Sequence, residues 1–157
     1  MGEHHPALSP EAAQALAEQV ALSMYERDTA SQALGLRILR VAPGHAELTM
    51  TVRADMLNGH EICHGGFIFT LADSAFAFAC NSFNRVTVAQ GASIDFLRPA
   101  TRGDRLRAEA KVVNQGSRTG VYDVEVRRED GKLIACFRGN SFSSDTALVG
   151  AGEERGK

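Results

Sequence analysis

The feature that most constrains the fold is a long apolar segment that contains a single carboxylate. Over residues 62–84 no Glu, Lys or Arg occurs, and Asp73 is the only aspartate. Residues 67–79 are apolar on nearly every face of a helix, which is typical of a helix buried on most sides or of a membrane span. A membrane span is disfavoured because a mid-span aspartate costs about 2.5–3.5 kcal/mol. We therefore predict a helix wrapped by a sheet.

The rest of the chain predicts another helix and a set of antiparallel strands. Ser9 and Pro10 favour the start of an N-terminal helix that ends near Arg27. Two strands are expected on either side of a Pro-Gly turn at 43–44, and alternating segments across 86–143 predict a four-stranded antiparallel meander. We expect an N-terminal helical extension (1–34), a main domain (35–143) and a flexible C-terminal tail (144–157).

Composition excludes several classes of protein. The net charge is −2, so the chain lacks the basic excess of a nucleic-acid binder, and we expect neither a nucleic-acid nor a membrane partner. The three cysteines form no CxxC pair, and the first residues lack the charge and apolar run of a secretory signal. A reducing, cytoplasmic location is the simplest interpretation. Glycine is over-represented, at 15 of 157 residues.

Two of these glycines precede the apolar helix and suggest chemistry. An aspartate in a buried helix is costly unless neighbouring donors satisfy it or it faces a cavity, so Asp73 has a structural and a functional explanation. Gly65 and Gly66 would leave unpaired N–H groups at the positive end of the helix dipole, which suits an oxyanion. Asn58 is either part of a plain turn with Gly59 or an amide that orients a carbonyl or a water.

The spacing of these residues predicts a dimer. Gly65 and Asp73 are separated by about 12 Å along one helix, whereas a base or nucleophile must lie within about 3 Å of the group on which it acts. If both act on one substrate, they come from different subunits.

The motifs together resemble one family. Asn58, His64-Gly65-Gly66 and Asp73, followed by Phe96-Leu97-Arg98-Pro99, strongly resemble the hotdog-fold acyl-CoA thioesterases of the PaaI type, which is associated with phenylacetate degradation. The resemblance covers residues 10–143. It implies an α+β hotdog fold, in which a curved antiparallel β-sheet wraps around one long central α-helix, here with an additional N-terminal helix.

The resemblance also implies roles for the residues. Asp73 would be the nucleophile or general base, the Gly65 N–H the oxyanion donor, and Asn58 the group that positions the thioester or the attacking water. Gly66 would contact the substrate. His64 is either a second base or, as we favour, a residue that shapes the turn. The family implies a catalytic homodimer, a homotetramer, and no metal or redox cofactor, since coenzyme A is part of the substrate.

Coenzyme A also carries phosphates, and residues 98–118 have an excess of basic side chains. We expect Arg98, Arg118 and Thr119 to contact these phosphates, although most basic residues here are also explained as a solvated sheet face. Phenylalanines of the apolar helix could help to line an acyl pocket, although their first role is core packing: Phe67, Phe69, Phe76 and Phe78. The expected reaction is hydrolysis of aryl-acetyl-CoA, especially ring-hydroxylated phenylacetyl-CoA. The alternatives are a hotdog hydroxyacyl-thioester dehydratase and a non-catalytic acyl-CoA-binding module.

One motif suggests a different chemistry. Residues 60–64 read His-Glu-Ile-Cys-His, which matches the HExxH signature of zinc proteases. That signature requires both histidines on one face of a continuous helix. A turn precedes these residues and two glycines follow them, so we predict no ligand helix and no zinc site.

Overall fold

The computed structural model describes residues 7–150. It contains two N-terminal helices, one central helix, a short 3₁₀ turn and six strands. In chain order these are α1 (Pro10–Arg27), α2 (Thr29–Ala33), β1 (Arg37–Ala42), β2 (His45–Thr51), the 3₁₀ turn (Ala54–Met56), α3 (Gly65–Asn81), β3 (Thr87–Phe96), β4 (Arg105–Gln115), β5 (Thr119–Arg128) and β6 (Leu133–Ser143).

Helix α1 begins and ends where the sequence predicts. The Ser9 side chain accepts a hydrogen bond from the N–H of Ala12 at 3.1 Å, and Pro10 occupies the first turn. The hydroxyl of Tyr25 donates to the Leu36 carbonyl at 2.7 Å and ties the helix to the start of the sheet. The buried face of α1 holds Ala17, Val20 and Ala21. The expected N-terminal helix is confirmed over the described residues, and residues 1–6 of the predicted extension lie outside them.

Helix α3 is the predicted apolar helix, and the sheet packs around it. It contacts every strand of the sheet, most of all β2, β4 and β5. The inner faces of these strands contribute small and branched side chains, such as Ala46, Leu48 and Val124. The fold is therefore the α+β arrangement expected, a six-stranded antiparallel sheet around one long helix. Within residues 7–150 no helix has both the length and the apolar character needed to cross a membrane.

The predicted meander is wrong in one pairing. The strand order is β1-β2-β4-β5-β6-β3, so β3 pairs with β6 and not with β4. The physical reason is that β2 occupies the edge of β4 that a meander would give to β3. Alternation along a strand shows which face is buried, but it does not show which neighbour the strand takes. As a result β3 is an edge strand, and it is mostly exposed.

The predicted tail starts with an ordered segment. The side-chain oxygen of Asn84 accepts hydrogen bonds from the N–H groups of Leu148 and Val149, and Val86 donates its N–H to the Thr146 carbonyl at 2.8 Å. Residues 144–150 are therefore held against the segment that joins α3 to β3. Residues 151–157 of the predicted tail lie outside the described residues.

Candidate active site

The first turn of α3 presents two free N–H groups. His64 is the N-cap, and its side chain makes no capping hydrogen bond. The Phe67 N–H donates to the His64 carbonyl at 3.1 Å, whereas the N–H groups of Gly65 and Gly66 have no acceptor among residues 7–150. Because these groups lie at the positive end of the helix dipole, they can stabilise a developing oxyanion.

A pocket of about 500 Å³ opens beside Gly65. It brings together three residues that the sequence predicts for the site: Asn58, Gly65 and Arg98. The other lining residues are Ile62, Cys63, Ile68, Phe96, Leu97 and Pro99. This mostly apolar lining was not predicted from the sequence, although the Phe-Leu-Arg-Pro motif contains four of the nine lining residues. A pocket of this kind suits an apolar group with a carbonyl at its polar end.

Phe96 explains why position 65 is a glycine. A Cβ atom built on Gly65 would lie 2.7 Å from Cζ of Phe96, which is closer than real contacts allow. A Cβ on Gly66 would meet nothing within 4 Å. The aromatic ring therefore closes over the helix N-terminus, and only glycine at position 65 lets it do so.

Asn58 stabilises the turn and also lines the pocket. Its Oδ1 accepts hydrogen bonds from the N–H groups of His60 at 2.9 Å and Ile62 at 3.3 Å. Because two donors converge on this atom, it must be the oxygen, which leaves Nδ2 as the free end of the amide. Nδ2 has no acceptor among residues 7–150 and remains available to donate to a carbonyl or a water. The two explanations offered for Asn58 are therefore compatible.

Asp73 lies two turns further along α3, away from the Gly65 pocket of its own chain. Its carboxylate is half-buried and makes neither a hydrogen bond nor an ion pair with residues 7–150. Burial raises the pKa of this carboxyl above its ordinary value. The structural explanation for Asp73, in which neighbouring donors satisfy the carboxylate, therefore does not hold within residues 7–150. A partly desolvated and unpaired carboxylate is instead typical of a catalytic acid or base.

The raised pKa of Asp73 predicts the pH dependence of catalysis. If the carboxylate is the reactive form, kcat/KM falls as the pH drops through a pKa that lies above about 4, the usual value for aspartate. A pH–rate profile of kcat/KM, with circular dichroism at each pH to verify folding, measures this acid limb. An acid limb at or below pH 4 would contradict the role of Asp73.

His64 and the HExxH motif do not form a ligand helix. Glu61 has a φ of 61°, in the left-handed region, and residues 60–64 form a bend with bridge pairings. The expectation that the motif lacks its helix is confirmed. His64 is exposed, its N–H donates to the Met56 carbonyl at 2.8 Å, and its backbone begins α3. Shaping the turn therefore stays the prediction for His64.

Cys63 is the one thiol that lines the pocket. Burial raises its pKa to about 11, and burial raises the pKa of Cys80 to about 12. Both side chains are therefore protonated at neutral pH and are poor nucleophiles. Cys63, Cys80 and Cys136 are all free.

The three candidate phosphate contacts do not lie together in one chain. Arg98 lines the Gly65 pocket, and its Nη1 donates to the Leu133 carbonyl at 2.9 Å. Arg118 donates to Asp145 at 2.7 Å, and Thr119 pairs with Phe142. Arg98 follows the end of β3, whereas Arg118 and Thr119 lie at the level of its start with β6 between them and β3, about 30 Å away at the usual rise of a strand.

The helix phenylalanines do not line this pocket. Phe76 and Phe78 are buried in the core, while Phe67 and Phe69 are partly buried and pack against it. The Phe69 ring meets Phe137 edge-on at 5.3 Å. None of the four is among the lining residues. These side chains are in the core or pack against it, so a position on α3 does not by itself identify a residue that lines the pocket.

Comparisons with known proteins show the family to which the chain belongs. The model of the family described as the thioesterase superfamily matches residues 60–135. The chain is 50% identical over 132 residues to acyl-coenzyme A thioesterase PaaI of Escherichia coli K12, which covers 84% of this chain and 94% of that protein. The solved structure of the E. coli PaaI protein from the phenylacetic acid degradation operon has a TM-score of 0.85 at 49% identity, covering 86% of this chain and 98% of that one.

A more distant solved structure contains coenzyme A. It is a hypothetical thioesterase protein from Streptococcus pneumoniae TIGR4, with a TM-score of 0.69 at 27% identity, and the match covers 71% of this chain and 88% of that one.

Proposed function

The chain belongs to the thioesterase superfamily and is an acyl-CoA thioester hydrolase, and on that premise we propose that it prefers aryl-acetyl-CoA substrates, ring-hydroxylated phenylacetyl-CoA above all. The observation that carries the proposal is the apolar pocket beside two free N–H groups at the start of α3. Ile68, Phe96 and Leu97 offer a flat aromatic ring an apolar surface. The source of the related E. coli structure, a phenylacetic acid degradation operon, supports the same substrate class and a role in phenylacetate degradation.

The proposed mechanism uses protein groups and water, with no metal or redox cofactor. The carbonyl oxygen of the thioester accepts a hydrogen bond from the Gly65 N–H, which stabilises the negative charge that develops on this oxygen. The Nδ2 of Asn58 orients the carbonyl or the water. Asp73 takes a proton from water as the water oxygen bonds to the carbonyl carbon. The C–S bond then breaks, and the CoA thiolate takes up a proton to leave the free acid and CoA-SH.

Direct attack by Asp73 is the second route to the same products. The carboxylate then bonds to the carbonyl carbon and expels the CoA thiolate, giving a mixed anhydride that water hydrolyses. Both routes need the carboxylate form, so both predict the same acid limb.

We propose that Asp73 acts on a substrate held at Gly65 of the other subunit. The pocket of one chain lacks a carboxylate among its lining residues, and Asp73 is about 12 Å from Gly65 along α3. The exposed edge strand β3 offers a surface for pairing, with Val88 58% and Phe96 51% exposed.

Antiparallel pairing of two β3 strands would also bring the three candidate phosphate contacts closer together. The start of one β3 would then lie beside the end of the other, which would bring the partner's Arg118 and the partner's Thr119 to within three strand spacings of Arg98, about 14 Å, instead of about 30 Å. Static light scattering at micromolar concentration is expected to show at least a dimer, and we propose that two dimers form a tetramer. An active monomer would contradict the shared site.

A thiol-release assay tests the substrate proposal. Phenylacetyl-CoA and hydroxyphenylacetyl-CoA are expected to exceed fatty acyl-CoA in kcat/KM by at least about tenfold, within the range that a fitted apolar pocket provides. Benzoyl-CoA is the control for the length of the acyl group. Preference for fatty acyl-CoA would contradict the substrate class. Hydration of enoyl-CoA without thiol release would indicate a dehydratase, and saturable binding without turnover would indicate a binding module.

A further inference from the structure

The outer face of the sheet, which lies away from α3, carries a second and strongly basic concavity. Its volume is about 850 Å³, and its charged lining consists of five arginines and one acid: Arg37, Arg105, Arg107, Arg127, Arg128 and Glu129. We call this concavity the basic groove. It shares no lining residue with the Gly65 pocket.

The strand register places three of these arginines in one row. Thr49 of β2 pairs with Arg37 of β1 on one side and with Arg107 of β4 on the other. Arg107 in turn pairs directly with Arg127 of β5. Since neighbouring strands are about 4.8 Å apart, the row extends over about 14 Å. Like charges directly opposite each other destabilise a sheet, so this row is suited to an anion that contacts several guanidinium groups together.

Two of the five guanidinium groups are free to bind. Arg37 and Arg105 make no ion pair and donate no side-chain hydrogen bond to any residue in the range 7–150. Arg127 is paired with Glu125 at 2.9 Å, and Arg128 is paired with Asp130 at 2.7 Å. The Arg127 pair is about half exposed, where ion pairs are weak, so a ligand can exchange for Glu125, whereas Arg128 is 24% exposed and also lies 3.8 Å from Asp104. Arg107 is held by the buried Glu47 and so has a fixed position.

Acidic residues bound the basic groove on one side. In the row two residues away along the strands, Glu109 pairs directly with both Glu47 and Glu125. A long polyanion such as a nucleic acid, laid along the strands, would meet this row and be repelled. The bounded positive area therefore favours a compact ligand.

We propose that the basic groove binds a small molecule with two or more linked phosphates. The guanidinium fork matches phosphate oxygens two at a time, and the groove volume is within the range of small-molecule sites. A single carboxylate would reach only part of the row, whereas linked phosphates extend along it. The ligand is either a free nucleotide or polyphosphate, or the pyrophosphate part of a coenzyme A molecule other than the one whose thioester lies at Gly65. The proposal rests on the sheet's outer face and is independent of the acyl group that the enzyme prefers.

Calorimetric titration with inorganic tripolyphosphate tests this site in the full-length protein. The double variant Arg37→Gln/Arg105→Gln removes the two unpaired charges and is expected to bind tripolyphosphate at least about tenfold more weakly than the unchanged protein. Arg102→Gln is the matched control, because Arg102 is an exposed arginine near Arg105 that does not line the groove. The control is expected to bind with unchanged affinity. Thermal unfolding without ligand verifies that both variants fold.

Titrations with ATP and with CoA distinguish the two sources. Weaker binding of ATP alone in the double variant assigns the groove to free nucleotides, weaker binding of CoA alone assigns it to the phosphates of CoA, and weaker binding of both supports a site that accepts linked phosphates from either source. The proposal is overturned if tripolyphosphate fails to bind the unchanged protein at millimolar concentration, or if the double variant binds it as tightly as Arg102→Gln. A changed oligomeric state with unchanged affinity overturns it as well, and would indicate a contact between copies of the chain.

Discussion

Replacing Asp73 by asparagine is expected to lower kcat/KM for aryl-acetyl-CoA by more than about 100-fold, the usual effect of losing a general base or a nucleophile. Asparagine has nearly the same shape but cannot accept a proton or attack the carbonyl at neutral pH. The carboxylate has no partner among residues 7–150, so its replacement breaks no hydrogen bond there. Because burial disfavours the charged form of Asp73, the neutral amide is expected to preserve or raise the stability of the fold.

Thiol release measured at saturating and limiting substrate gives both kinetic constants for this variant. The matched control is Asp123→Asn. Asp123 lies away from the Gly65 pocket, and its carboxylate is paired with Arg138 at 2.6 Å. The control is expected to keep nearly full activity. Circular dichroism and light scattering verify that both variants keep their fold and assembly. Near-normal hydrolysis by Asp73→Asn would remove Asp73 from the mechanism.

The second large effect is expected at Gly65, where one substitution can delete the N–H without breaking the helix. Gly65→Pro removes the proposed oxyanion donor, and proline is well tolerated at the first position of a helix. His64 has φ −56° and ψ 134°, the extended conformation that a residue before proline prefers. Since this N–H has no acceptor among residues 7–150, no hydrogen bond there is lost. Loss of one oxyanion donor lowers kcat by about 100- to 1,000-fold.

Gly65→Ala is the matched control, because it also places a Cβ against the Phe96 ring but keeps the N–H. The comparison of kcat between the proline and alanine variants therefore separates the donor from the steric effect. Phe96 is 51% exposed, so its ring can shift and the alanine variant is expected to fold. Equal kcat values for the two variants would show that space at position 65 matters and the N–H does not.

The features of the fold and of the site that the sequence predicted depend on residues close together in the chain. The apolar run around Asp73 indicated a buried helix, and Gly65 marked its start, because both signals lie within one short segment. The separation of Gly65 and Asp73 along the helix also followed from the sequence, since the rise per residue is constant.

The parts that were not predictable depend on residues far apart in the chain. Pairing of β3 with β6 is decided by competition for the edge of β4, which alternation does not encode. Phe96 meets Gly65 only after the sheet has curved around α3, so its place in the pocket lining could not be predicted from the sequence, and the helix phenylalanines do not line this pocket of one chain. The basic groove likewise depends on the register that places Arg107 opposite Arg127.

If the active site is shared between two subunits, two inactive variants are expected to restore each other's activity. Asp73→Asn and Gly65→Pro are unfolded together and refolded as a mixture, and thiol release is compared with that of each variant refolded alone. A mixed dimer then has one site with an intact Gly65 and the partner subunit's Asp73. With random mixing, about one quarter of the activity of the unchanged protein is expected to return. Failure of the mixture to exceed the separate variants, with mixed dimers shown to be present, would contradict the shared site.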